Sequence, residues 1–198
     1  MDENTLFISG WAGPGFLFPG LTRDCAFAAP FLTHSAQGIE DLLGENFSRV
    51  IAWSTGAHIV LKHPELWPGK KILLLAPFLH LPRSVPDWAL RDMQKGMREN
   101  PKQIINSFWA KCGIKNTWVE NMDFEKLAKG LEFLRESKAE LPQKPPVGMT
   151  LVRASRDRIV SFKKEKKYWP KAWLDGLHTA DSGHFFPEQE ILGWTGEQ

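Results

Sequence analysis

The chain has 198 residues, 42% hydrophobic and 24% charged, which suits one soluble globular domain with a real core. A formal net charge of +2 is too small to mark a nucleic-acid binder, and no apolar run approaches a membrane span. Cys25 and Cys112 form no metal or redox spacing and no leader-like segment opens the chain, so a reduced cytoplasmic protein without metal or cofactor is expected. Nine tryptophans stand out, and aromatics on that scale line a core or an apolar ligand pocket.

In chain order, Thr5–Ile8 reads as a short apolar strand running into Ser9-Gly10-Trp11-Ala12-Gly13-Pro14-Gly15, a loop too rich in glycine for helix. Ala26 to Leu32 offers a second strand, and Ile39, Leu42, Leu43 and Phe47 have helical spacing. Val50 and Ile51 lie in a buried strand that stops at Ser54, and a helix follows until His63-Pro64. Lys71 to Ala76 is apolar throughout, as a central parallel strand should be. From about residue 83 to 141 no strand pattern is found, only amphipathic helical segments at Trp88–Arg98, Pro101–Cys112 and Phe124–Ser137. The proline-rich stretch Leu141–Pro146 ends that block as an extended linker. Strands resume at Val147–Val152 and Leu177–Ala180, with helices expected over Phe162–Trp169 and after Pro187. Strands alternating with helices predict an α/β architecture, a parallel sheet with helices on both faces. The helical block becomes an insertion above the carboxyl ends of the strands, where open α/β sheets bind ligands.

Ala52-x-Ser54-x-Gly56 falls between the third strand and its helix. A serine on such a turn has strained backbone angles, and the residues two before and two after it crowd together, so both must be small. Asp157 follows the strand ending at Ala154, and His184 follows the last one, in Ser182-Gly183-His184-Phe185. These are the residue types that acyl transfer needs: a hydroxyl nucleophile, an imidazole to take its proton, and a carboxylate to fix the tautomer and stabilise the imidazolium. The amides of Trp11 and Thr55 are candidates for an oxyanion hole. His178 is the rival base, placed on a strand, and Asp175 and Asp181 are rival acids. Asp123 falls inside the insertion, whereas His58 and His63 read as packing or surface residues of the helix after Ser54.

The segments Phe7–Ala12, Ala52–Gly56, Ser155–Val160 and Gly183–Phe185 resemble the α/β-hydrolase superfamily, whose triads run in the order Ser54, Asp157, His184. Within it, Trp11 after the glycine of the loop and Trp53 before the serine are similar to pimeloyl-acyl-carrier-protein methyl ester esterases of biotin synthesis. The resemblance implies a reduced hydrolase fold of about six mostly parallel strands, beginning at the strand that is usually third. It implies a core at residues 1–82 and 142–198, and a helical lid at 83–141. Ser9 departs from the usual pattern, which has histidine there, so the loop is where a difference in geometry is expected.

The same resemblance assigns Ser54, His184 and Asp157 as nucleophile, base and orienting acid, with the Trp11 and Thr55 amides holding the oxyanion. Trp11, Trp53, Phe108, Trp109 and Phe185 are expected against the substrate, and Trp88, Trp118, Phe124 and Phe133 are further lid aromatics. Arg91, Lys95 and Arg98 head a basic lid face, with Lys102, Lys111 and Lys115, that offers an acidic acyl-carrier protein a docking surface. A solvated helix face is the equal alternative, as it is for the basic run Lys163–Lys171. The expected substrate is a carrier-linked or small-molecule ester, handled by a monomer with no nucleic-acid or membrane partner. A general carboxylesterase, an acyl thioesterase and a catalytically inert binding fold remain open alternatives.

Overall fold

A computed structural model describes residues 4–115 and 122–196. Trp118 lies outside the described residues. Among them, six strands form one sheet in the order β2-β1-β3-β4-β5-β6, every neighbouring pair parallel. The strands are β1 (Thr5–Ile8), β2 (Ala26–Ala28), β3 (Arg49–Trp53), β4 (Lys71–Leu75), β5 (Met149–Ala154) and β6 (Leu177–Ala180). The mostly parallel six-stranded sheet expected from the sequence is therefore present.

Burial on both faces explains why the strands are continuously apolar rather than alternating. Phe7, Ile51, Trp53, Leu73 and Leu75 point to one face, and Leu6, Ile8, Val50, Ala52, Ile72 and Leu74 to the other. The second face is covered by α2 (Ala36–Leu43), α3 (Thr55–Lys62) and α8 (Lys171–Asp175), through Ile39, Leu43, Ile59, Leu61 and Trp173. The first face is covered by α1 (Pro19–Asp24) and α9 (Glu188–Thr195), through Leu21 and Ile191, together with the chain between β4 and β5.

That chain forms α4 (Asp87–Glu99), α5 (Pro101–Cys112) and α6 (Phe124–Glu136). Their starts are written in local chemistry. Asn100 and Asp123 cap α5 and α6 by accepting from the amides of Gln103 and Lys126, and Gly113 ends α5 in the left-handed region. Leu90, Met97, Ile105, Trp109, Leu127 and Leu131 join the core of the first sheet face, so the three helices share that core.

Four expectations shift in detail. The strand expected over Ala26 to Leu32 ends at Ala28, ahead of a turn with Phe31 at φ 61°, and the helical spacing read to Phe47 ends with α2 at Leu43. The strand expected at Val147–Val152 begins two residues later, because Gly148 has φ +87° and Val147 projects fully into solvent. The single helix expected over Phe162–Trp169 is instead α7 (Phe162–Glu165) followed by a 3-10 turn, and Pro170 restarts the chain as α8.

Topology decides where a site can form. The chain leaves β1 for β2 on one side and returns to β3 on the other. The loops after β1 and β3 diverge there and leave a crevice at the carboxyl edge of the sheet.

Candidate active site

Ser54 is the residue between β3 and α3, with φ 54° and ψ −112°, a conformation that side chains other than glycine's rarely adopt. The turn closes only because its neighbours are small. A methyl group on Gly56 would lie 2.6 Å from the Ile8 carbonyl oxygen and 2.7 Å from that of Ser9. The Gly56 amide instead donates to the Ser9 carbonyl, which fastens the start of α3 to the end of β1.

His184 and Asp157 come from the loops after β6 and β5. The Ser54 hydroxyl lies 2.8 Å from His184 Nε2, and His184 Nδ1 lies 2.8 Å from Asp157 Oδ2. With Nδ1–H donating to the carboxylate, Nε2 presents a lone pair to the hydroxyl. Asp157 Oδ1 accepts from the amides of Ile159 and Val160, so both carboxylate oxygens are engaged. Burial works against its charge, but the His184 ring, through charge and hydrogen bond, and those two amides outweigh it and hold the carboxyl below its ordinary range. The rivals lie elsewhere. Asp181 pairs with Arg156 and Ser155, His178 rests on Trp194, and Asp123 caps α6.

His58, one turn along α3 from Ser54, is fully buried and stacked 4.7 Å from Phe78. Its Nδ1 lies 3.1 Å from the Phe78 carbonyl and its Nε2 2.8 Å from the Ser137 hydroxyl. Desolvation pushes its pKa down to about 4, so it stays neutral and ties α3 to the end of α6. Cys112 is buried too, and desolvation raises its thiol well above the usual range, which makes it inert.

The loop after β1 is closed by Ser9. The Ser9 hydroxyl donates to the Gly13 carbonyl at 2.5 Å, and the Gly13 amide donates back to Gly10. Ala12, at φ 52°, completes the tight turn. The Trp11 amide donates to the Thr55 hydroxyl oxygen at 3.2 Å, which brings the two candidate oxyanion residues together beside Ser54.

Three buried indoles then act as cross-braces. Trp11 Nε1 donates to the Leu127 carbonyl of α6, Trp109 Nε1 to the Ala12 carbonyl, and Trp53 Nε1 to the His184 carbonyl. Each joins elements distant in sequence, so α5 and α6 are fixed to the loop after β1, and β3 to the histidine loop. The sequence carried one signal for this. Nine tryptophans in a small chain cannot all be buried without finding acceptors, although the partners cannot be read from the residues themselves. The Ser9 and His58 bonds had no such signal.

A cavity of about 350 Å³ opens above Ser54, at the low end of small-ligand sites. Its walls come from Trp11, Thr55 and Phe78, from Trp88, Met93, Ile104, Phe108, Leu131 and Leu134 of helices α4 to α6, and from Ile159. Of the aromatics expected against substrate, Trp11 and Phe108 line it, packed edge to face at 4.8 Å. Trp53, Trp109 and Phe185 lie behind the walls, because their rings are consumed by packing: Phe185 and Trp53 on each other and on Phe18, Trp109 on Phe16. Phe133 likewise packs beneath, against Phe31 and His58.

The basic residues Arg91, Lys95 and Arg98 are exposed on α4, but Arg91 is paired with Asp87 and Lys95 with Glu99. Among the described residues, no group of three or more histidine, cysteine or carboxylate side chains could hold a metal, and no helix is long and apolar enough to cross a membrane.

No protein-family profile matches the chain, and no curated protein does. Solved structures share its fold at low identity. RedJ, a thioesterase from the prodiginine pathway of Streptomyces coelicolor, is 11% identical over 98% of this chain and 85% of its own, with TM-score 0.56. The N-acyl homoserine lactonase AidH is 14% identical, covering 97% and 85% at TM-score 0.55. A lipase-esterase related protein from Clostridium acetobutylicum is 13% identical, covering 95% and 87% at TM-score 0.56. The chain has the α/β-hydrolase fold.

Proposed function

We propose that this protein is a serine hydrolase that cleaves carboxylic esters or thioesters. One observation carries the reading: a strained, buried serine in an unbroken hydrogen-bonded line to an imidazole and a carboxylate, 2.8 Å at each step, at the floor of an apolar cavity.

In this mechanism the Ser54 oxygen attacks the substrate carbonyl carbon while His184 Nε2 takes its proton. The charge that forms on the imidazolium is stabilised by Asp157, which the His184 ring and the Ile159 and Val160 amides keep ionised against the cost of burial. The tetrahedral oxyanion takes the place of the Thr55 hydroxyl as acceptor for the Trp11 amide, and the Thr55 amide at the start of α3 is the second donor. His184 then protonates the leaving alcohol or thiol, and water releases the acid by the same route.

For the substrate we propose the methyl ester of a pimeloyl-acyl-carrier protein, cleaved to the free acid and methanol in the cytoplasm by a monomer that needs no metal or cofactor. The apolar walls suit an acyl chain. Docking of an acidic carrier would use Arg91, Lys95 and Arg98, steered by charge. Hydrolysis of small esters or other thioesters by the same residues is the broader form of the reading.

A fluorophosphonate probe tests the class. It should label the wild-type protein and fail on Ser54→Ala, whose turnover should fall about a millionfold. A Ser54→Ala protein that turns over p-nitrophenyl butyrate near the wild-type rate removes the triad assignment, and wild type that neither takes the label nor turns over the ester leaves an inert binding fold. Complementation of a strain lacking its pimeloyl esterase tests the substrate.

A further inference from the structure

Helix α5 turns one stripe to the cavity, Ile104, Ser107, Phe108 and Lys111, at spacings of three and four residues. Lys111 is in the last turn, where the carbonyl of the next residue, Cys112, accepts from the Phe185 amide and so fixes the helix end beside the histidine loop. Arg158 reaches the same cavity from a different element, the loop after β5. That backbone is held on either side of Arg158, because the following two amides donate to Asp157. Two exposed cations on two separately anchored segments therefore line one apolar cavity.

Several neighbouring cations are already engaged. Arg91 and Arg135 share Asp87, Lys95 has Glu99, Arg156 has Asp181, and Arg83 lies over the Tyr168 ring. Among the described residues, no carboxylate comes within ion-pair distance of Lys111 or Arg158. Asp157, the sequence neighbour of Arg158, is already engaged by His184 and two amides. Unpaired positive charge over a low-dielectric wall concentrates its field in the cleft. A guanidinium fork and an ammonium lining one cavity match the oxygens of a carboxylate or a phosphate.

We infer that Lys111 and Arg158 form an anion subsite, which selects esters or thioesters carrying a carboxylate or phosphate away from the carbonyl that reacts. The inference rests on the hydrolase reading and adds the charge of the substrate to it. The anion has two possible sources: a carboxylate at the far end of the acyl chain, or the phosphate of a phosphopantetheine arm.

Two substrate pairs separate them. Monomethyl adipate is compared with methyl hexanoate, and butanoyl phosphopantetheine with butanoyl pantetheine, by methanol or thiol release. The charged member of one pair is favoured in kcat/KM by about tenfold at low salt, and the preference shrinks as salt is added. A preference confined to the adipate pair identifies the carboxylate, and one confined to the pantetheine pair the phosphate. In Lys111→Gln/Arg158→Gln the ratio falls to near one, while the charge-conserving exchange Lys111→Arg/Arg158→Lys keeps most of it and reports that the fold has survived. Wild type with no preference in either pair overturns the subsite, as does a preference that persists in the double glutamine variant. Wild type that takes no fluorophosphonate and turns over none of the four compounds overturns the hydrolase reading and the subsite with it. That result differs from labelled enzyme without preference, which removes the subsite alone.

Discussion

Replacing Gly56 by alanine tests the packing on which the whole site depends. The added methyl group meets the Ile8 carbonyl oxygen at 2.6 Å, the Ile8 side chain at 2.7 Å and the Ser9 carbonyl oxygen at 2.7 Å. Two of these are backbone atoms at the end of β1, which is paired on one side to β2 and on the other to β3, so neither can retreat. Forcing a methyl group into a close-packed site costs about 1–3 kcal/mol, and immovable neighbours place this case at the top, about 3 kcal/mol. For a chain of this size that lowers Tm by about 6–12 °C. The same shift moves Ser9, and with it the loop that carries the Trp11 amide. A displacement of about 1 Å there should slow reaction with a fluorophosphonate by about a hundredfold. Gly193→Ala in α9 is the control: nothing lies within 4 Å of its added carbon, and stability should rise by up to about 1 kcal/mol. If Gly56→Ala melts within about 2 °C of wild type and takes the probe at the wild-type rate, the close approach of α3 to β1 does not set the site.

Asp157→Asn keeps the shape of the side chain but removes its charge, and kcat should fall by about ten-thousandfold with the fold intact, read by p-nitrophenyl ester hydrolysis beside circular dichroism. Ser9→Ala removes the bond to the Gly13 carbonyl and should cost about 1 kcal/mol in urea unfolding, together with a slower labelling rate. His58 gives a pH signature. Its pKa is about 4 in the folded chain against 6.5 ordinarily, so the unfolded chain binds the proton first as pH falls. Stability is therefore whole above pH 6.5 and declines toward pH 4, by about 3 kcal/mol in total. His58→Gln should flatten that decline, and parallel urea midpoints for the two proteins across the window would count against it.

How much of this was legible beforehand differs by element. The strands were visible because a parallel sheet covered on both faces needs runs such as Lys71–Leu75, and α4 to α6 because their apolar spacing is local. The boundary at Gly148 and the break at Pro170 were misplaced by a few residues, since each depends on one backbone angle and not on a pattern. Ser54, Asp157 and His184 could be named because a strand-to-helix turn and two loops beyond strand ends are sequence features.

The sequence by itself determined the order of strands and helices, the small residues flanking Ser54, and the residue types available at the carboxyl edge of the sheet. Only the tertiary structure decided which aromatics face the cavity. Trp53, Trp109 and Phe185 have the composition of a binding wall, yet their indoles and rings are taken up bracing loops to one another. Tertiary packing also decided which cations are free. Arg91 and Lys95 find acids one helical turn away, whereas Lys111 and Arg158 meet across 47 residues of chain at a rim without a carboxylate partner among the described residues. The physical reason is range. Propensity, capping and periodicity act within a few residues, but cavity walls and charge pairing depend on distances that the chain sets only after the sheet has closed.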